Sequence, residues 1–167
     1  MEVHDVDNII KTLELIPHPE GGYFREVYRC EDLIDQQVLS SCYNGNRSFL
    51  TSIYYLLKNN DVSQFHTLLS DEIWYFHMGS AVIIHQINFD GSYKKHLLGP
   101  NYLLEEKPHV LIKKNTWLGA EIKNKDLFSL VSCAISPGFE FSDFKLGDRD
   151  SLLTKYPQHK DLIIKLT

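Results

Sequence analysis

Short apolar runs, each broken by turn residues, fill the chain from Tyr23 to Ile135. Tyr23 to Arg29 alternates apolar and polar side chains, as a half-buried strand does. Phe49 to Leu57 is rich in Ile, Tyr and Leu and reads as a second strand. Ser63 to Gly79 reads as two strands around a tight polar turn. Ala81 to Phe89, Tyr93 to Leu98, His109 to Ile112, Thr116 to Ile122 and Phe128 to Ile135 follow as further strands. Asn59-Asn60-Asp61, Asp90-Gly91, Gly99-Pro100-Asn101 and Pro137-Gly138 supply turns between them. Strands of this length with turn signals about every ten residues predict an all-β sandwich or barrel. Strands do not alternate with long helices, which argues against a parallel α/β sheet.

The period changes at the two ends. Asp5 to Leu15 reads as an N-terminal helix, with Asp5 or Asp7 as its cap and Ile9, Ile10, Leu13 and Ile16 near helical spacing. Pro17 and Pro19 end it. Asp148 to Tyr156 and His159 to Ile164 read as short terminal helices. Glu31 to Arg47 is polar and irregular, an inserted loop rather than a linker, so residues 1–167 are expected to form one domain.

Composition narrows the function classes. The formal net charge of -5 gives no basic footprint, so no nucleic-acid partner is expected. Three cysteines at wide spacing form neither a disulfide framework nor a zinc pattern, and they suit a reducing cytoplasm. The start MEVHDVDN is acidic and polar, unlike a signal peptide. No apolar run approaches the ~20 residues of a membrane span. The expectation is a cytoplasmic protein with no membrane partner.

The stretch SQFHTLLSDEIWYFHMG carries the chemistry, with His66 on one strand and Glu72 on the next. The step from His66 to Glu72 and on to Gly79 resembles the first motif of the cupin superfamily. Four blocks in order resemble a small, largely uncharacterised family of single-domain cupins: PHPEGGYFRE, SDEIWYFHMG, KKNTWLGAE and SPGFEFSDFKLGD. The resemblance covers nearly the whole chain. It implies a jelly-roll β-barrel, commonly a homodimer, with a ligand pocket inside the barrel and an activity mostly unassigned. The nearest functional analogy is the metal-free sugar-nucleotide epimerases of the same superfamily.

A cupin metal site takes three His and one Glu. Leu68 stands where the second His is usual, and Leu118 where the third is usual. Leucine has no lone pair to give a metal, so no metal and no cofactor is expected. Lys113-Lys114-Asn115 replaces the family's Pro-Ala-Gly, and Asn115 still suits a left-handed turn.

Acid–base chemistry is the leading expectation. His66 stands where the epimerase base stands, and Glu72 can fix its tautomer. The partner acid by analogy is a tyrosine, with Tyr23, Tyr54, Tyr55 and Tyr75 all open and Tyr54 carried in the candidate catalytic set beside His66 and Glu72. Strand parity places Trp74 and Phe76 on the face of Glu72, joined by Leu118 and Ala120. An apolar, aromatic lining around two polar groups suits a flat small molecule. Trp117, one residue off parity, is expected outside the barrel or at an interface.

In GGYFRE, Tyr23 and Arg25 share a face, and the Arg25 fork matches a phosphate or carboxylate. The alternative pairs Arg25 with an acid such as Asp143 or Asp148. The candidate ligand-binding set is Arg25, Tyr23, Trp74, Phe76, Leu68 and Leu118. His18, His77, His85, His96 and His109 lack metal-ligand spacing and read as structural or surface groups. The expected function is binding of a small polar metabolite, sugar- or nucleotide-like, with isomerase or epimerase chemistry at His66. Two alternatives stand beside it, a non-catalytic binding or sensing protein and a residual metal-dependent oxygenase.

Overall fold

Alternation along the strands gives two sheets that face each other across a shared apolar core. A computed structural model describes residues 6–167, so Asp5, one of the two expected caps, lies outside the described residues. The elements are α1 (Val6–Thr12), β1 (Ile16–Pro17), β2 (Tyr23–Arg29), β3 (Leu33–Ile34), β4 (Arg47–Ser48) and β5 (Thr51–Lys58). Next come β6 (Val62–Leu68), β7 (Asp71–Gly79), β8 (Val82–Ile87), β9 (Tyr93–Leu98), β10 (His109–Ile112) and β11 (Trp117–Ile122). The chain continues with β12 (Phe128–Ser136), β13 (Phe144–Leu146), α2 (Arg149–Lys155) and α3 (Lys160–Lys165). One sheet runs β1-β2-β5-β12-β7-β10 and the other β13-β6-β11-β8-β9. The paired strands in both are antiparallel. The predicted strands from Tyr23 to Ile135 are all present, with ends shifted by one or two residues.

Three apolar clusters follow from this layout. The barrel interior holds Tyr55, Leu57, Trp74, Ile84, Leu118, Ala120 and Ile122. Phe65 and Ile87, on the outer face of the five-stranded sheet, lie beneath Leu152, Tyr156, Ile163 and Leu166 of the C-terminal segment. Leu56 and Leu130, on the outer face of the six-stranded sheet, lie beneath Leu15 and the apolar side of α1. Strand β5 shows why its sequence looks almost continuously apolar. Ile53, Tyr55 and Leu57 turn inward, while Tyr54 and Leu56 turn outward beneath α1.

Glu31 to Arg47 is more ordered than its sequence suggests. Leu33–Ile34 pairs with Arg47–Ser48, and a short 3-10 turn spans Gln36–Val38. Two-residue strands are too short to produce a readable alternation.

Arg47 anchors this segment. Its Nε and Nη2 donate to the two oxygens of Asp143 at 2.6 Å each, and its Nη1 donates to the carbonyls of Asn44, Gly45 and Asn46. Both side chains are buried. The pair ties the loop to the β12–β13 connection, which carries Phe139 and Phe141. Removing one partner of a buried ion pair strands the other charge, whereas an exposed pair is screened by water. Asp143→Ala is therefore expected to cost about 3–5 kcal/mol in urea unfolding. Asp71→Ala, which breaks the exposed pair with Lys113, is expected to cost about 0–1 kcal/mol. Equal losses would contradict this account of the loop.

Candidate functional site

The segment before β2 enters the barrel because two glycines let it. Gly21 and Gly22 have φ of +108° and +67°, and a Cβ on either would strike a main-chain oxygen, that of Val62 or of Leu56. The Tyr55 hydroxyl donates to the Gly21 carbonyl at 2.8 Å, and Gln64 N–H donates to the Glu20 carbonyl at 2.8 Å. These contacts lay residues 18–20 across the ends of β5 and β6, so that His18 and Glu20 face inward.

Strand β6 meets them through a bulge. His66 pairs with Leu118 and Ser63 pairs with Ala120, so one extra residue is accommodated between the two pairs. Ser63 and His66 thus both reach Glu20, and Phe65 turns outward. The Ser63 hydroxyl donates to Glu20 Oε1 at 2.8 Å. His66 Nδ1 lies 2.8 Å from the Gln64 carbonyl and 3.3 Å from Glu20 Oε2. Both neighbours are acceptors, so Nδ1 carries the proton and the neutral ring keeps its lone pair on Nε2. His18 Nδ1 accepts the Glu20 backbone N–H at 3.2 Å. Burial lowers the His18 pKa, the Glu20 charge opposes that, and His66 adds to it. Phe144 lies beside the His66 ring, 5.3 Å between centroids.

Glu72 enters from β7 on the opposite sheet. Burial raises its pKa from 4.5 to about 7, against the downward pull of His66. Glu72 Oε2 and Trp74 Nε1 are buried and make no hydrogen bond of normal length and angle, although the Trp74 indole and the Cys133 thiol stand close enough to the Glu72 carboxyl to draw its pKa down. Native interiors rarely leave such atoms unpaired, and here both residues line one cavity. Cys133 lines it too, its thiol pKa raised well above the ordinary value by burial first and then by Glu72 and Glu20. The cavity measures about 90 Å³, and Phe24, Phe139, Phe141 and Phe144 add aromatic surface to its lining.

The sequence-chosen residues separate into two groups. His66, Glu72, Trp74 and Leu68 line the cavity. Leu118 lines a smaller adjoining space with His66 and Glu72. Phe76 packs against the barrel core beyond the cavity. Tyr54 lies on the outer face of β5 beneath α1, with its ring near His77, and Tyr23 packs in the same outer cluster. Arg25 also points outward and pairs with Glu14, not with Asp143 or Asp148. Tyr55 is the cavity tyrosine, but its hydroxyl is committed to Gly21, and burial raises its pKa well above the ordinary value. Arg29 lines the cavity because a second bulge, between Glu26 and Tyr28, turns it inward opposite Thr51. Trp117 packs outside the barrel, under the C-terminal helices.

Sequence reasoning passed over His18 and Glu20. They precede the strand, so strand parity does not reach them. The available signal was an imidazole and a carboxyl set directly before two glycines.

Glu72 makes stability depend on pH. Its folded pKa of about 7 exceeds the ordinary 4.5, so the folded state holds the proton more tightly than the unfolded state. Stability from this group is complete below about pH 4.5 and is lost as pH rises through about 7. At about 1.4 kcal/mol per pH unit over the interval from 4.5 to about 7, the loss is on the order of 3–4 kcal/mol. Glu72→Gln is expected to be the more stable protein at pH 8 and to lack this slope in urea titrations. A wild type that gains stability against the variant between pH 5 and 8 would contradict the assignment.

Comparison with known proteins places this geometry. Protein SO0799 from Shewanella oneidensis superposes with a TM-score of 0.90 at 40% identity, covering 99% of this chain and 98% of that one. A hypothetical protein from Leishmania major superposes with a TM-score of 0.87 at 31% identity, covering 96% and 97%. The uncharacterized protein YML079W of Saccharomyces cerevisiae is 26% identical over 147 residues, 83% of this chain and 73% of that protein. The cupin metal set does not fit here, because Leu68 and Leu118 hold two of its four places without a donor atom. Among the described residues no three His, Cys, Asp or Glu side chains converge as a metal site requires. The described residues also contain no helix long and apolar enough to cross a membrane. The family described as Cupin superfamily (DUF985) matches residues 7–147, and the chain belongs to it.

Proposed function

We propose that the barrel cavity binds a small polar metabolite and that His66 moves a proton on it. The observation that carries this reading is the pair of unpartnered buried atoms, Glu72 Oε2 and Trp74 Nε1, beside an imidazole whose tautomer is fixed. A ligand group reaching the cavity floor would satisfy both atoms. His66 Nε2 has the lone pair needed to take a proton from carbon next to a carbonyl. That proton leaves as imidazolium N–H, and the negative charge moves to the carbonyl oxygen. Trp74 N–H can donate to that oxygen. Glu72 stands near neutrality in its own titration, so it can give or hold a proton at physiological pH. This is isomerase or epimerase chemistry, with Glu72 in the acid role that analogy gave to a tyrosine.

A second reading is supported by the same unpaired atoms. Ligand binding alone would satisfy them, as in a sensing protein.

The two readings are separated by gentle purification and native mass spectrometry, followed by incubation in D2O. Wild type is expected to retain an organic molecule and to exchange one carbon-bound hydrogen of it for deuterium. His66→Ala is expected to bind several-fold more weakly and to lose exchange by at least ~100-fold. Retention without exchange in wild type favours the sensing protein. Undiminished exchange in His66→Ala contradicts the role of His66.

A further inference from the structure

The charges around the cavity narrow its occupant; this inference rests on reading the cavity as a ligand site. Four carboxyl groups face it, Glu20, Glu26, Glu72 and Glu140, against one guanidinium, Arg29. Arg29 is already committed. Its Nε and Nη2 donate to the two oxygens of Glu26 at 2.9 and 2.8 Å. Its Nη1 donates to Glu140 at 2.8 Å and its Nη2 to the Phe139 carbonyl at 3.1 Å. An incoming phosphate or carboxylate would meet carboxyl groups and a cation that already has two partners. Glu26 and Glu140 are partly exposed, so water screens part of their repulsion, and the discrimination against an anion is set at about tenfold rather than at complete exclusion.

The floor asks for the opposite chemistry. Trp74 Nε1–H and Glu72 Oε2 face each other without a hydrogen bond of normal geometry, so each has capacity left for a ligand group. One group that donates and accepts together meets both needs, such as a hydroxyl or a carboxamide. Higher up, the His18 and Phe141 rings lie nearly parallel, 6.3 Å apart with 24° between their planes, and Phe139 stands edge-on to Phe141 at 5.1 Å. Aromatic walls of this kind suit a flat ring. A cavity of about 90 Å³ suits a small occupant.

We infer that the cavity takes an uncharged, flat, ring-bearing molecule whose head group is a hydroxyl or carboxamide, and that it disfavours phosphorylated and carboxylated compounds. The sugar-nucleotide analogy therefore does not extend to the ligand's charge. Among the described residues that line the cavity, Arg29 is the one Lys or Arg, and it is committed to Glu26 and Glu140, so a nucleoside diphosphate meets no free Lys or Arg there.

Benzamide and benzoate test this directly, because they share shape and size and differ in charge. The readout is the Trp74 indole N–H resonance, assigned with Trp74→Phe, and the Trp117 indole outside the barrel serves as the internal control. Benzamide is expected to shift the Trp74 signal, and benzoate to bind at least about tenfold more weakly. In the double variant Glu26→Gln/Glu140→Gln, Arg29 loses both carboxylate charges that neutralise it, and benzoate affinity is expected to rise at least about tenfold. An unchanged Trp117 signal shows that the variant is folded. Benzoate binding as tightly as benzamide to wild type would overturn the inference and leave the ligand site standing. Benzoate binding just as weakly to the double variant would overturn the charge account. If neither compound moves the Trp74 signal, the cavity is not a ligand site and both readings fall.

Discussion

The site depends on one contact, the Glu20 carboxyl group placed between Ser63 and His66. Everything around it serves to bring a charged group from an irregular segment into a barrel. Two glycines remove the Cβ atoms that would collide with β5 and β6. The bulge in β6 turns Ser63 and His66 to the same side. Ser63 holds one Glu20 oxygen, and the other lies against His66 Nδ1. A buried carboxylate is costly without such partners. The consequence for function is the orientation of one ring, with its lone pair on Nε2.

Glu72 is the counterweight. It comes from the other sheet, has fewer polar partners, and is pushed by burial toward the neutral form. Glu20 and Glu72, two of the four carboxyl groups on the cavity, thus have unlike surroundings. The aromatic connection between β12 and β13 closes over them, and the buried Arg47–Asp143 pair holds that connection in place. Stability and function meet there: a charge pair of no catalytic use sets the position of Phe139 and Phe141.

The strands were legible because each is half-buried and alternates, and the turns carry Gly, Pro and Asn. His66 and Glu72 were legible from the motif, and Trp74 from its parity with Glu72 on a regular stretch of β7. Parity has no purchase where the ladder is irregular. Arg29 reaches the cavity through a bulge, and bulges leave no mark in a two-residue period. Glu20 and His18 lie outside any strand, and their inward turn depends on contacts with residues 62–64. Tyr54 and Tyr55 are adjacent in a strand buried on both faces, so composition alone could not say which one turned inward.

The most direct test is the protonation of His66, observed by nitrogen-15 NMR of its imidazole ring at a pH where the ring is neutral. The account predicts the Nδ1–H form, with Nε2 showing the shift of an unprotonated nitrogen. It also predicts that Glu20→Gln disturbs this signal more than Arg25→Gln does. A neutral His66 with its proton on Nε2 would remove the base from the cavity and contradict the account.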